Sequence, residues 1–340
     1  MKPGENLPEN HPIINVRKEG LHMKKILVVL PVADVHKKRL EEAAPDAAFT
    51  YSSVSAVTEE MVQEANVIIG NVPAGFLHAS EKLELLQLNS AGADAYIKKG
   101  VLHPSTILTN STGAYGKAVS EHLFAMALAL QKKLHLYRDD QFQGSWNDYG
   151  QITSLTDATV LIVGLGDIGL SFARLCKGMG SHIIGVKRRP SHCPEGVDEL
   201  YLTEELRQAV PRADVVASFL PGTSETYHIF DAGFFSAMKP TAIFLNGGRG
   251  NSVDQEALLY ALENGEIYGA GLDVTDPEPL PSDHPLWKQK NIMITPHISG
   301  QYHLQETFER VVRIAAGNLE HYMKQEPLRN VVDFSTGYKK

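Results

Sequence analysis

Three polar side chains, Arg249, Glu278 and His297, each come after a short apolar run that predicts a buried strand. In open α/β sheets, ligands bind at the carboxyl ends of the strands. The planar guanidinium of Arg249 matches a carboxylate, and the imidazole of His297 exchanges a proton near neutral pH. Glu278 can stabilise the imidazolium. Together these residues predict reduction of a 2-keto acid. Taken alone, His297 also fits a structural histidine and Arg249 a solvated turn.

A glycine-rich segment, GLGDIG, lies between a predicted strand and a predicted helix. Gly164 permits a tight turn, Gly166 lets the backbone approach a pyrophosphate, and Gly169 lets helix and strand pack closely. The backbone amides around Asp167 and Ile168 begin the helix and would face the anion. This context predicts a dinucleotide site rather than an ordinary glycine-rich turn.

The next predicted strand ends in three cations, Lys187, Arg188 and Arg189. An NAD site usually has a carboxylate there, which binds the ribose 2′-hydroxyl. Cations would pair instead with a 2′-phosphate, and arginine does so in a bidentate way. The turn therefore predicts NADP over NAD, with a solvated charged turn as the alternative.

The elements that must position these residues form two βα series. Strands of the first series are predicted at 26–30, 47–51, 67–70, 85–89 and 106–109, with helices at 35–43 and 58–65. Strands of the second are predicted at 159–163, 182–186, 215–220, 242–246, 268–273 and 292–295, with helices at 168–178 and 254–263. One long helix is expected over 119–143, and a last one over 303–323. Alternating units of this kind predict parallel sheets covered by helices.

Composition restricts the class of protein further. A chain of 340 residues favours two domains, and a net charge of −8 argues against a nucleic-acid partner. Cys176 and Cys193 fit no disulfide framework or zinc motif, so we predict a reducing compartment, the cytoplasm, and no structural zinc. The fourteen histidines have no clustered ligand spacing, so we predict no catalytic metal. No apolar run is long enough for a membrane span. Residues 1–22 are rich in proline and polar residues and are expected to be a disordered leader, either native or added for expression.

Four motifs in this order resemble those of the D-2-hydroxyacid dehydrogenases, from about residue 89 to 300. They are Gly164-x-Gly166-x-x-Gly169, Asn246-x-x-Arg249-Gly250, Leu272-Asp273-Val274 with Glu278-Pro279, and Pro296-His297-x-Ser299-Gly300. The 19-residue step from Glu278 to His297 also matches. The D stereochemistry is implied by this resemblance alone.

The resemblance implies an α/β fold in which a doubly wound Rossmann cofactor domain is inserted in a flavodoxin-like substrate domain. The cofactor domain would span 119–299, and the substrate domain 23–118 plus 300–335. The active site would lie in the cleft between them. A homodimer is also implied.

The resemblance assigns roles to particular positions. His297 would be the acid/base paired with Glu278, and Arg249 would bind the substrate carboxylate and carbonyl. The backbone of Ser90, Ala91 and Gly92 would hold that carboxylate. Further cofactor contacts are expected from Leu220, Pro221, Gly247, Asp273, His297 and Gly300, with Asp273 orienting the nicotinamide amide.

The basic turn departs from the NAD-dependent members and resembles the NADP-preferring glyoxylate or hydroxypyruvate reductases. Glu278 argues against a formate dehydrogenase, whose histidine pairs with a glutamine. Two alternatives stay open: a phosphoglycerate-type or phosphite dehydrogenase, and a dinucleotide-sensing scaffold similar to the C-terminal binding protein corepressors. Phe76 and Leu77, in a candidate substrate loop over 71–76 and just beyond it, point to a small or apolar substrate group.

Overall fold

The computed structural model describes residues 23–189 and 192–334. The predicted leader, 1–22, lies outside the described residues. Within them the chain forms two parallel sheets, which confirms the predicted fold class.

The first sheet has the strand order β2-β1-β3-β4-β5. Its strands are β1 (Lys25–Val28), β2 (Ala48–Tyr51), β3 (Val67–Ile69), β4 (Leu85–Gln87) and β5 (Ile107–Thr109). Its helices are α1 (Asp34–Ala43) and α2 (Glu59–Glu64). Every pairing in it is parallel, as buried apolar runs with helical crossovers require.

Two helices connect the sheets, α3 (Gly116–Gln131) and α4 (Leu134–Gln143). The prediction of one helix over 119–143 was wrong, because Lys133 adopts a left-handed conformation with φ of 55°. The following loop packs back on this break, where Lys132 Nζ donates to the Thr153 carbonyl at 2.7 Å. Leu134 is 55% exposed, so burial of an apolar face does not require a continuous helix there.

The second sheet has the order β12-β11-β10-β9-β6-β7-β8. Its strands are β6 (Thr159–Val163), β7 (His182–Lys187), β8 (Glu199–Leu202), β9 (Val215–Ser218), β10 (Ile243–Asn246), β11 (Gly269–Leu272) and β12 (Ile292–Ile294). Its helices are α5 (Asp167–Gly178), α6 (Leu206–Ala209), α7 (Ala232–Ser236) and α8 (Gln255–Glu263). Strand β8, which was not predicted, is a half-exposed edge strand parallel to β7. The strand order reverses between β6 and β9, which is where an open α/β sheet forms a ligand crevice.

The last helix, α9 (Gln305–Met323), returns to the first sheet and packs against α1. Asn318 on this helix is buried and donates to Gln87 Oε1 at 2.6 Å. His36 on α1 lies 2.8 Å from Glu309 on α9. The second series is therefore an insertion within the first in chain order, while the predicted boundaries at 118/119 and 299/300 stay a prediction. Helix α3 runs across the first of these boundaries.

Candidate active site

A cleft of about 530 Å³ contains side chains from both series. Its lining residues are Asn89, Ser90, Ala91, Gly92, Tyr115, Val119, Ile168, Gly247, Arg249, Asp273, His297, Ser299, Gly300, Gln301, Tyr302 and His303. The predicted site residues among them are Ser90, Ala91, Gly92, Ile168, Gly247, Arg249, Asp273, His297 and Gly300. The structure thus gathers residues that are more than 200 positions apart in the sequence.

The glycine-rich segment forms a cradle at the N-terminus of α5. Gly164 has φ of 102°, and a Cβ built there would lie 3.0 Å from the Phe219 carbonyl oxygen. A Cβ on Gly169 would lie 2.2 Å from the Gly164 carbonyl oxygen. Gly166 is different, because a Cβ there would meet no atom within 4 Å. The outer glycines therefore serve packing, and the middle one faces open space at a helix N-terminus, where a pyrophosphate fits.

Asp167 turns its side chain away from this open space and toward helix α3. A Cβ built on Gly116 would lie 2.8 Å from Asp167 Oδ2 and 2.6 Å from Ser171 Oγ. Oδ2 is buried without a hydrogen-bond partner among the described residues. The predicted contribution of Asp167 through its backbone amide is compatible with this orientation and stays a prediction.

The three predicted cations follow the glycine-rich cradle on the neighbouring strand. Lys187 is the last residue of β7, and Arg188 and Arg189 continue into the turn. Arg188 Nη1 lies 3.8 Å from Glu225 Oε2, whose side chain is 71% exposed. The turn is thus basic, and the Glu225 carboxylate, from the segment after β9, lies near Arg188.

Leu220 and Pro221 follow β9, on the other side of the point where the strand order reverses. A Cβ built on Gly248 would lie 2.5 Å from the Leu220 carbonyl oxygen, so the turns after β9 and β10 touch. Gly247 is also close-packed, because a Cβ built there would lie 2.9 Å from a Leu123 methyl carbon. Glycine at both positions keeps these two turns together at the crevice.

His297 and Glu278 form a hydrogen-bonded pair at the cleft. His297 Nδ1 lies 2.8 Å from Glu278 Oε2, and both side chains are nearly half exposed. Glu278 Oε1 accepts from the Thr275 amide at 3.2 Å, which fixes the carboxylate. His297 has φ of 51°, in the left-handed region that non-glycine residues rarely adopt. Such backbone strain concentrates at functional sites.

The loop that carries His297 is fastened to one buried carboxylate. Asp273 is 1% exposed, and its Oδ1 accepts from Thr295 Oγ1 at 2.6 Å and from the Ile298 amide at 3.0 Å. Its Oδ2 accepts from the Ser299 amide at 3.2 Å and from the Ser299 hydroxyl. The His297 amide donates to the Asp273 carbonyl at 2.8 Å. The predicted contact between Asp273 and a nicotinamide stays a prediction, whereas its bonds to this loop are observed.

The side chain of Arg249 packs against the loop that is predicted to bind the substrate. Its Nε donates to Asp94 Oδ2 at 3.1 Å, and its Nη1 donates to the Gly248 carbonyl at 2.8 Å. A Cβ built on Gly92 would lie 1.7 Å from Arg249 Nη2. Ser90 Oγ donates to the Gly92 carbonyl at 2.7 Å, which shapes the loop from within. The guanidinium thus lies against the predicted substrate loop, with the Asp94 carboxylate beside it.

A pair of tyrosines that lines the cleft was not predicted from the sequence. Asn89 Nδ2 donates to the Tyr302 hydroxyl at 2.5 Å, and the Tyr115 hydroxyl donates to the Asn89 carbonyl. Burial raises the pKa of Tyr115 and of Tyr302, so both hydroxyls stay neutral. Asn89, Tyr115 and Tyr302 lie in separate segments with no motif that joins them, and only the fold brings them together. Gln301 and His303 are exposed lining residues next to this pair.

The suggestion that Phe76 and Leu77 face the substrate was wrong. Leu77 is completely buried, and Phe76 packs against the same hydrophobic core. Neither is among the lining residues of the cleft. The apolar pattern there belongs to core packing under β3 and β4.

Comparison with known proteins identifies the family. Residues 124–299 match the sequence model of the D-isomer specific 2-hydroxyacid dehydrogenase NAD binding domain. The chain belongs to the D-isomer-specific 2-hydroxyacid dehydrogenases. It is 31% identical over 303 residues to glyoxylate/hydroxypyruvate reductase B of Shigella boydii, covering 84% of this chain and 92% of that protein.

Two solved D-isomer-specific 2-hydroxyacid dehydrogenases are similar over nearly the whole chain. The Aeromonas salmonicida structure is 32% identical, with a TM-score of 0.79 over 92% of this chain and 100% of that one. The Xanthobacter autotrophicus structure, in complex with NADPH and MES, is 25% identical, with a TM-score of 0.78 over 93% and 100%. The chain is therefore an oxidoreductase of a family that transfers hydride with NAD(P).

The described residues of this D-2-hydroxyacid dehydrogenase include neither a helix suited to a membrane nor a cluster suited to a metal. Within 23–189 and 192–334, none of the helices has the length and apolar character that a bilayer crossing requires. In that same part of the chain, no group of three or more histidine, cysteine or acidic side chains has an arrangement suited to a metal. The predicted lack of a metal stays a prediction.

Proposed function

We propose that this D-2-hydroxyacid dehydrogenase reduces a small 2-keto acid with NADPH. The observation that carries the proposal is the convergence of the His297–Glu278 pair with Arg249 on one cleft. The two groups supply what the chemistry needs, a proton at one point and a carboxylate grip at another. A reduced nicotinamide bound at the crevice supplies the hydride.

The chain's own residues then have separate tasks. Arg249 and the backbone of Ser90 to Gly92 bind the substrate carboxylate and orient its carbonyl toward His297. The His297 imidazolium gives its proton to the carbonyl oxygen as negative charge develops there. Glu278 stabilises the imidazolium before the transfer and orients the neutral ring after it. Closure of the cleft excludes water and strengthens these charge contacts.

The residues around the glycine-rich segment fit a dinucleotide. Gly166 leaves open space at the N-terminus of α5, with Gly164 and Gly169 packed on either side of it. We propose that Lys187, Arg188 and Arg189 bind the 2′-phosphate of NADP. The NADPH bound to the Xanthobacter relative supports this assignment, as does the absence of an acidic residue from the turn.

We also propose a homodimer in the cytoplasm. Support for the dimer comes from large apolar side chains exposed on α4 and the loop that follows it. Phe142 is 76% exposed and Trp146 is fully exposed. A second copy of the same surface would cover them, as in an isologous interface. Cys176 and Cys193 are both unpaired, as expected in a reducing compartment.

The first experiment is turnover of NADPH and NADH with glyoxylate, hydroxypyruvate, pyruvate, bulkier 2-keto acids and 3-phosphohydroxypyruvate. We expect turnover of a small unphosphorylated acid with a clear NADPH preference. Equal kcat/KM for the two cofactors would contradict the NADP assignment. Binding of NADPH without turnover of any acid would contradict the proposed reaction and favour a sensing scaffold.

A matched pair of variants tests the basic turn. Arg188→Ala should lower kcat/KM for NADPH about tenfold, the effect of one lost charge-assisted hydrogen bond, and leave NADH unchanged. Lys177→Ala is the control, because Lys177 is a cation of the same domain that pairs with Asp198 away from the crevice. Equal losses with NADH and NADPH in Arg188→Ala would exclude a 2′-phosphate contact.

A further inference from the structure

A second histidine lies behind the loop that carries His297. His122 is on α3, and its Nε2 lies 3.0 Å from Thr295 Oγ1 and 3.8 Å from Asp273 Oδ1. Its side chain is 25% exposed, and in the described part of the chain it is not among the lining residues of the cleft. His122 therefore contacts the loop that carries His297 without lining the cleft.

The hydrogen-bond directions at this contact are determined by the chemistry of the groups. The Asp273 carboxylate can only accept hydrogen bonds, so the Thr295 hydroxyl donates its hydrogen to Asp273 Oδ1, at 2.6 Å. Thr295 Oγ1 then has only lone pairs left for His122. The Nε2 of His122 must therefore carry a hydrogen, which gives a directed chain from His122 through Thr295 to Asp273.

This series of hydrogen bonds ends at the Asp273 carboxylate, which holds the loop that carries His297. Asp273 also accepts the amides of Ile298 and Ser299, which follow His297 directly. Thr295 precedes His297 by two residues. The strained backbone of His297 is thus held by hydrogen bonds both before and after this residue. On the preceding side, Thr295 is itself held by His122, which lies on helix α3.

We propose that His122 is a positioning residue, which donates from α3 to Thr295 and so fixes the orientation of the His297 loop. It does not line the cleft and acts through Thr295. Helix α3 also contributes Val119 to the cleft wall, and Tyr115 at its N-cap lines the cleft as well. One helix therefore sets both a wall of the cleft and the place of the proton donor. The catalytic part of this inference rests on the proposed function, whereas the part about loop order does not.

Two substitutions separate the donor from the bulk of the side chain. In His122→Gln the amide nitrogen stands the same number of bonds from Cβ as Nε2, so the donor to Thr295 is kept. In His122→Leu the donor is lost and an apolar side chain remains. His135→Leu is the control, because His135 is a half-buried histidine on the adjacent helix α4, whose Nδ1 lies 3.4 Å from the Ala129 carbonyl, away from the cleft.

We expect His122→Leu to lower kcat about tenfold through misplacement of the proton donor, with the KM for NADPH nearly unchanged. The hydrogen isotope effect on kcat, measured with deuterated NADPH, should rise because the chemical step becomes slower. His122→Gln should restore kcat to near the wild-type value, and His135→Leu should not change it. Thermal unfolding of every variant is measured alongside.

Amide hydrogen exchange of the peptide 295–300 gives a readout that needs no turnover. His122→Leu should exchange there about fivefold faster, the factor implied by the loss of one hydrogen bond, while His122→Gln matches the wild type. Unchanged kcat and unchanged exchange in His122→Leu would overturn the proposal. Equal losses in His122→Gln and His122→Leu would overturn it too, because they would show that the donor does not matter. A wild type without turnover refutes the proposed function alone, and the exchange rates then decide about His122.

Discussion

Replacement of Gly166 by alanine should leave the fold intact and weaken the binding of a dinucleotide. Its backbone has φ of −86°, a region open to any residue, and a Cβ there meets nothing within 4 Å. Gly166→Ala should therefore fold normally. The loss of glycine's freedom in the unfolded chain should add about 0.4–1 kcal/mol to the free energy of unfolding.

The expected effect on NADPH binding is large by comparison. The new methyl group occupies the open space at the N-terminus of α5, where we place the pyrophosphate. Displacing the anion by about one methyl radius breaks at least one amide–phosphate hydrogen bond, worth about 1.5–3 kcal/mol. At 1.4 kcal/mol per factor of ten, the Kd for NADPH should rise between about tenfold and 150-fold.

The assay combines calorimetric titration of NADPH with thermal unfolding, and Gly169→Ala is the matched control. A Cβ on Gly169 would lie 2.2 Å from the Gly164 carbonyl oxygen, so overpacking should cost about 1–3 kcal/mol of stability. Wild-type affinity for NADPH in Gly166→Ala would refute the placement of the pyrophosphate. A lower Tm in Gly166→Ala than in the wild type would refute the view that this position is sterically open.

Three further predictions concern catalysis, acid stability and assembly. His297→Ala should lower kcat about 10²–10⁴-fold through loss of the general acid, and near-normal turnover would exclude that role. Hydrogen bonds from Arg212 and from His182 lower the pKa of Glu199 to about 2, so its stabilising effect is complete above pH 4.5 and is lost as the pH falls toward 2. Unfolding temperatures from pH 7 to pH 3 should therefore fall more steeply for the wild type than for Glu199→Gln, and parallel curves would contradict the pairing. Phe142→Ser with Trp146→Ser should shift the light-scattering mass from dimer to monomer, and an unchanged mass would place the interface elsewhere.

Local sequence patterns predicted the parts of the fold that depend on local chemistry. In the GLGDIG segment, Gly164 has a positive φ at the turn and Gly169 packs closely against the Gly164 carbonyl, as predicted. The approach of Gly166 to a pyrophosphate stays a prediction. Glu278 and His297 follow separate strands, and the shared sheet edge brings them within 2.8 Å. In such cases, residues that follow neighbouring parallel strands meet at the same edge of the sheet, so their contact can be predicted from the strand order.

Features set by distant contacts could not be predicted in the same way. The break at Lys133 interrupts a regular apolar pattern because a later loop packs on it. Strand β8 is short and half exposed, so its pattern has little contrast. Tyr302 meets Asn89 across 213 residues of sequence, and nothing local indicates that contact.

The return of α9 to the first sheet has a consequence for synthesis on the ribosome. Gln87 finds its partner Asn318 only after 231 more residues have been added. At about 5–20 residues per second this takes roughly 10–50 s, during which the first sheet lacks its contacts with helix α9. The inserted domain, which lies between these two points in the chain, can complete its own sheet first. The second sheet can therefore form while the first βα series still lacks helix α9, and chaperone contacts are expected on that first series.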